Sequence, residues 1–374
     1  VRIALSLLSL RPGQVGGAET YVRALLRHLP EVADRDEMLL VLDRDLDREI
    51  EGGGWTKVVM PYGARELVAR RIAEAYTPWR DRASERALAA ARPDVTLFPQ
   101  QSIFPHRAPG VAVLTAVDVQ HLVLPGHFGL FDRTFRPRVY PRSMARAARV
   151  IAISEFTRST LLERCGTPPG KVTAIPFGVE DQGAGREPAG PSRLVEGPYL
   201  YYPAATWPHK AHASLFRAYA TLRGRGEIVD RIVLTGQRTP LWEKELLPLA
   251  RKLGIERDVI HLGFVPFDEV RRLHAGATAV VFPTTFEGFG LPVLEAVQAG
   301  RKVVTSRLPV FDEIGVPARA QADFERPEEV LAALREPGPT RLLREPLTWH
   351  EVARRTIEAL RAAARPTGAA AAGR

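Results

Sequence analysis

The stretch Ala279-Val-Val-Phe-Pro-Thr-Thr-Phe-Glu-Gly-Phe-Gly-Leu-Pro-Val-Leu-Glu295 reads as a buried strand, a glycine turn and the start of a helix. The run 279–282 has no polar break, the mark of a parallel strand covered on both faces. Gly288 and Gly290 let the chain turn closely, and Pro292 suits the first turn of a helix, where a missing N–H costs nothing. The amides from Gly288 through Phe289 and Gly290 to Leu291, at the positive end of a helix, form a cradle for a diphosphate. On a helical wheel Val293, Leu294 and Val297 make one apolar stripe, and Glu295 points almost opposite. Beside the cradle stands a plainer reading, in which Glu295 is a solvated helix residue and the glycines serve only as a helix start.

Outward from this segment, short apolar runs alternate with amphipathic ones along the whole chain. Strands are expected at 3–8, 38–42, 57–60, 95–98, 111–117, 150–153 and 172–175, then at 199–202, 232–234, 259–262, 279–282 and 303–305. Helical patterns such as Tyr21, Val22, Leu25, Leu26 and Leu29 lie between several of them. That alternation predicts an α/β protein with parallel sheets covered by helices. The pattern stops from 178 to 197, a stretch rich in Gly, Pro and charge, which reads as a linker. The organisation expected is two Rossmann-like, doubly wound domains facing across a cleft at the carboxyl ends of their strands. The first domain is 1–180 plus 350–374 and the second 181–349. The helix expected at 349–364 returns to the first domain, and the small-residue tail at 367–374 is expected to be disordered.

Composition narrows the class. A chain of 374 residues, 45% hydrophobic and 25% charged, is globular and long enough for two cores at roughly 150 residues per domain. Its single cysteine, Cys165, excludes an internal disulfide scaffold and a structural zinc cluster. No apolar stretch approaches the roughly 18 residues of a membrane span. The first apolar run leads into Pro12 and Gly13 without a cleavage-like region, so a cytosolic protein is expected, with peripheral membrane contact open. Net charge is +9, carried by six lysines and 46 arginines. One local excess, Arg133, Arg136, Arg138, Arg142, Arg146 and Arg149, is interleaved with Phe128, Phe131, Phe135 and Tyr140. It reads either as a surface for anionic lipid or an anionic acceptor, or as a solvated helix face. No nucleic-acid reading motif accompanies the charge, so nucleic acid is not expected as a partner. The loop 11–17 ends in Gly16 and Gly17 before a helix starting at Ala18 or Glu19, which suits phosphate or a plain turn. Asp43-Arg-Asp45 imitates a metal-binding D-x-D but has no matching context, and no metal site is expected.

The pair Glu287 and Glu295 within Glu-Gly-Phe-Gly-Leu-Pro-Val-Leu-Glu-Ala resembles the signature of the family 4 retaining nucleotide-sugar glycosyltransferases, which have the GT-B fold. Other segments resemble the family in the same order: Gly16-Gly-Ala-Glu19, Val150-Ile-Ala-Ile-Ser-Glu-Phe-Thr157, Ile175-Pro-Phe-Gly-Val179, Trp207-Pro-His-Lys210 and Leu262-Gly-Phe-Val265. The resemblance implies that Glu295 holds the donor ribose, Glu287 contacts the donor sugar, and Phe289 to Leu291 receive the diphosphate. It implies further that Lys210 neutralises the leaving charge, and that Gly263, Phe264 and Val265 lie beside the base. Asp118 and His121, in Thr115-Ala-Val-Asp-Val-Gln-His121, match a branch in which D-x-Q-H follows the strand. Here Val117 stands where the family often has histidine, Ala204 where some members have arginine, and Ala211 where asparagine often follows the lysine. Whether His121 replaces the missing histidine or is a structural residue stays open.

The function implied is transfer of a hexosyl unit from a nucleoside diphosphate sugar to an acceptor hydroxyl with retained anomeric configuration, without metal or other cofactor. A lipid-linked or cell-envelope glycan is the first acceptor class and a soluble natural product the second. A catalytically silent nucleotide-sugar-binding protein is the non-enzymatic alternative.

Overall fold

The computed structural model describes residues 1–10, 16–50, 53–77, 79–180, 190 and 192–365. The expectations for loop residues 11–15, for linker residues 181–189 and 191, and for the tail from 367 onward lie outside the described residues.

The chain divides into two compact units, Val1–Gly178 with Leu347–Arg374, and Val179–Pro346. In the first unit seven parallel strands are β1 Arg2–Ser6, β2 Glu37–Leu42, β3 Thr56–Val59, β4 Val95–Phe98, β5 Val111–Ala116, β6 Arg149–Ala152 and β7 Val172–Ala174. They lie in the order β3-β2-β1-β4-β5-β6-β7. In the second unit β8 Tyr199–Pro203, β9 Arg231–Thr235, β10 Val259–His261, β11 Ala279–Phe282 and β12 Lys302–Thr305 follow the order β10-β9-β8-β11-β12. Each strand foreseen from the apolar runs is present. The central ones, such as β4 and β11, are buried at every position, which is why they read as unbroken apolar runs.

Small corrections fall at element ends. The first strand stops at Ser6, and Leu7 and Leu8 turn away while staying fully buried, at 0% and 1% exposure. The first helix begins one residue earlier than foreseen, at Gly17, and runs to Val32.

Both sheets reverse direction beside their first strand. In the first unit the chain runs from β1 outward to β3 and returns to place β4 on the other side of β1; in the second it runs from β8 to β10 and returns with β11 beside β8. Loops leaving the carboxyl ends of such a strand pair diverge and open a crevice, the usual ligand position of a doubly wound sheet. One crevice therefore lies after β1 and β4, the other after β8 and β11.

Helix Trp349–Ala364 packs within the first unit against helix Gly17–Val32. Tyr21 stacks on Phe177 at 4.7 Å, Trp349 lies 5.8 Å from Phe177, and Arg361 donates to Asp36 at 2.8 Å. Gly178 makes this crossing possible, because a Cβ there would lie 2.7 Å from the Thr348 carbonyl carbon. Among the described residues no helix is long and apolar enough to cross a membrane.

Candidate functional site

In the second unit, Lys210 and Glu287 sit on the two loops that flank the crevice. After β8 the chain makes one 3-10 turn, Pro208–Lys210, passes through Ala211 in a left-handed conformation (φ 48°, ψ 40°) and enters helix His212–Gly224. The turn is fixed from below, since Tyr202 donates to the Lys210 carbonyl at 2.9 Å. It is also tied sideways, because the His209 carbonyl accepts from the Thr285 amide at 2.8 Å and from the Thr284 hydroxyl at 3.0 Å. Those threonines follow β11, so these hydrogen bonds tie the two loops together. The result is a direct ion pair in which the Lys210 ammonium donates to Glu287 Oε1, both side chains mostly shielded from solvent at 19% and 15% exposure.

Downstream of Glu287, Phe286 and Phe289 are buried as anchors, and Gly290 opens helix Leu291–Gln298 with φ 101°. That backbone requires glycine, and a Cβ would also meet the Phe311 ring at 2.9 Å. No side chain caps this helix. Pro292 has no N–H and Val293 donates to the Gly290 carbonyl, which leaves the Leu291 amide as a donor at the helix start.

Glu295 lies on the second turn of the same helix. Its side chain is 27% exposed, and its neighbour is His274 Nε2 at 3.8 Å, from helix Phe267–Gly276. Burial pushes the Glu295 carboxyl up to about 7 and the His274 imidazole down to about 3. The freely solvated helix residue, one of the two sequence readings, does not describe this position. His274 is fully buried, packs edge-on to Tyr201 at 5.0 Å, and neither ring nitrogen has a hydrogen-bond partner. Sequence reasoning missed His274, although its spacing from Val270 and Leu273 puts it on the helix face that turns inward.

The loop after β10 carries Gly263, Phe264 and Val265. The Gly263 carbonyl accepts from Gly236 at 2.8 Å and the Gly263 amide donates to His261 Nδ1 at 3.0 Å. The loop backbone is thus held, while Phe264 is 73% exposed. Burial and the Arg238 charge push the His261 ring down to about 4, so it accepts from Gly263 as a neutral imidazole.

The remaining sequence-derived positions belong to the first unit. Gly16 precedes helix Gly17–Val32 and accepts from the Glu19 amide at 2.9 Å. After β5, Asp118 Oδ1 accepts from the Gln120 amide at 3.0 Å, and the Asp118 carbonyl accepts from the Gln101 side chain. His121 packs edge-on to Tyr140 at 5.1 Å; burial and the Arg136 charge push its ring down to about 4. It is therefore a neutral ring near pH 7, and its Nδ1 has no hydrogen-bond partner. Asp43 and Asp45 are capping residues. Asp43 Oδ1 accepts from the amides of Asp45 and Leu46, and Asp45 Oδ2 from the Ala64 amide at 2.7 Å, so the D-x-D serves the backbone.

Two parallel-sheet α/β units, each reversing beside its first strand, are the architecture of a GT-B glycosyltransferase. A model described as "Glycosyltransferase Family 4" matches residues 15–182, and one described as "Glycosyl transferases group 1" matches 197–336. The chain belongs to the family 4 glycosyltransferases. It is 27% identical over 226 residues to O-antigen chain mannosyltransferase B of Escherichia coli, covering 59% of this chain and 58% of that one. To the D-inositol 3-phosphate glycosyltransferase of Actinosynnema mirum it is 32% identical over 194 residues, covering 46% and 45%. The chain thus spans about half the length of the curated relatives it matches. Among solved structures, Anabaena HepE in complex with UDP and glucose superposes with a TM-score of 0.64 at 19% identity, covering 96% of this chain and 95% of that one.

Proposed function

We propose that this protein is a retaining glycosyltransferase that moves a hexosyl unit from a nucleoside diphosphate sugar to an acceptor hydroxyl in the assembly of a cell-envelope or lipid-linked glycan. The observation that carries the reading is the Lys210–Glu287 ion pair, built from two loops at the sheet's reversal point beside the Leu291 helix start. Without ligand, each charge satisfies the other in a shielded place. A bound donor replaces both partners: its diphosphate takes the Lys210 ammonium and the Leu291 amide, and a sugar hydroxyl takes Glu287. Lys210 then meets the charge that grows on the diphosphate as the bond to the anomeric carbon breaks, a stabilisation realised most fully in the transition state. The acceptor oxygen bonds that carbon on the same face, and its proton passes to the departing diphosphate. Lys210 and the helix start supply the positive charge, so the proposed reaction needs no metal.

Glu295 accepts hydrogen bonds from the ribose, and the backbone at Gly263 to Val265 meets the base. In the first unit, the Asp118 carboxylate and the neutral His121 ring are the polar groups offered to an acceptor. Mannose is the first donor sugar to try, given the name of the Escherichia coli relative. HepE, crystallised with UDP and glucose, makes UDP-glucose the second. Placement at the inner face of a membrane is supported by Leu130 and Phe131, 79% and 52% exposed, at the head of the arginine-rich helix Leu130–Arg146.

The test is incubation with GDP-mannose, UDP-glucose, ADP-glucose and TDP-glucose, each with envelope glycan acceptors, and proton NMR of the product. An α-linked product from an α-linked donor is expected. A β-linked product contradicts retention, and the absence of sugar transfer or donor hydrolysis with every donor contradicts the enzyme.

A further inference from the structure

The first unit has its own crevice, and a cavity of about 160 Å³ lies beside it. That volume leaves room for a phosphate group with a few carbons. Ser9 after β1 and Ser102 after β4 meet there with hydroxyls 3.2 Å apart, and Arg71 donates to Ser102 at 2.8 Å. The cavity is therefore attached to the place where this sheet reverses.

Its charge is one-sided. Arg71, Arg80, Arg107 and Arg142 line it against a single carboxyl, Glu74. Arg80 is paired with Glu85 at 2.5 Å. Arg107 and Arg142 make no ion pair among the described residues, and together with burial and Arg146 they push the neighbouring His106 ring below its ordinary value. Glu74 accepts from the His106 amide at 2.9 Å, yet burial pushes its carboxyl up to about 7, with Asp81 and Glu85 adding to the rise and Arg71 opposing it. At neutral pH the cavity's own negative charge is thus only partly present. Trp79 and Phe135 supply apolar wall, and Phe135 stacks on the exposed Phe131 at 5.3 Å.

We infer that this cavity binds a phosphate group, held by Arg107 and Arg142 with Arg71 behind them. Planar guanidinium forks match phosphate oxygens in pairs, and an anion relieves the repulsion of clustered like charges. Resting on the transferase reading above, the phosphate belongs to the acceptor, so the acceptor class is a phosphorylated one. Its source is either a soluble phosphate ester or a lipid headgroup, and the aromatic rim at Phe131 is compatible with either.

The experiment uses the full chain with two probes. One is glycerol 3-phosphate, titrated calorimetrically; the other is phosphatidylcholine vesicles with and without phosphatidylglycerol, followed by co-sedimentation. The Arg107→Ala/Arg142→Ala double variant alters exposed side chains, and circular dichroism checks its fold. It is expected to lose about ten-fold or more in affinity for at least one probe. Loss in the glycerol 3-phosphate arm identifies a soluble source, and loss confined to the phosphatidylglycerol arm a lipid one. Arg133→Ala, also on helix Leu130–Arg146 but outside the cavity, should match the parent in the glycerol 3-phosphate arm. Glu74→Gln keeps an acceptor for His106 while removing charge, and is expected to tighten the responding probe about three-fold at pH 8. Equal binding by parent and double variant in both arms overturns the inference. So does binding that is lost in Lys210→Ala and retained in the double variant, because the probe then sits in the second unit. Phosphate binding that passes these tests in a protein without sugar transfer would leave the cavity standing and remove the transferase reading.

Discussion

Replacing Glu295 with glutamine should stabilise the ligand-free protein at alkaline pH while impairing it as a donor-binding protein. Burial raises this carboxyl from its ordinary 4.5 to about 7. The native state therefore holds more protons than the unfolded chain between those values. Stability conferred by the neutral carboxyl is present at acid pH, falls as pH rises through that window, and is gone above about 7. At ~1.4 kcal/mol per pH unit the full effect is ~3 kcal/mol. The 27% exposure of the side chain admits water and reduces the expected figure to ~1–2 kcal/mol. Glutamine keeps the shape without the charge. Urea unfolding of Glu295→Gln should then show a gain of about 1–2 kcal/mol over the parent at pH 8, shrinking below about 1 kcal/mol at pH 5. The same variant should bind its nucleotide more weakly, since an amide cannot accept from both ribose hydroxyls as a carboxylate does. A gain of the same size at both pH values, or a loss at pH 8, would refute the reasoning that the carboxylate is held against its solvation.

Three further outcomes follow from the same loops. Glu287→Ala should lower kcat more than it raises the donor KM, because a contact to the reacting sugar acts chiefly in the transition state, and steady-state kinetics separate the two. Ala211→Gly should raise stability by about 0.5–1 kcal/mol in chemical denaturation, since alanine at φ 48° carries a left-handed strain that glycine lacks. Gly290→Ala should cost about 2–3 kcal/mol in the same assay, as it combines φ 101° with a 2.9 Å approach to the buried Phe311 ring.

The strands were legible because parallel strands buried on both faces admit almost no polar residue, so hydropathy alone traces them. Their ends were less so. Leu7 and Leu8 are as buried as β1 itself and yet lie in a turn, because hydropathy reports burial and not extension. The contact between Lys210 and Glu287 spans 77 positions, and no periodicity links residues so far apart; only the family resemblance placed both in one site. Glu295 was ambiguous for a physical reason. A helical wheel sees one helix, and the partly buried position comes from the neighbouring helix that brings His274 within 3.8 Å. Asp43 and Asp45 imitate a metal-binding pair for a physical reason, since aspartates at helix starts satisfy backbone amides as readily as they hold a metal.

The central claim is that the loops after β8 and β11 form a donor site with Lys210 on the diphosphate. Its most direct test is calorimetric titration of the parent and Lys210→Ala with UDP-, GDP-, ADP- and TDP-sugars. The parent should bind at least one of them, and Lys210→Ala should weaken that binding by about 10- to 100-fold, the loss of a charge-assisted hydrogen bond worth ~1.5–3 kcal/mol. No heat from any nucleotide sugar, or equal affinity in the two proteins, would contradict it.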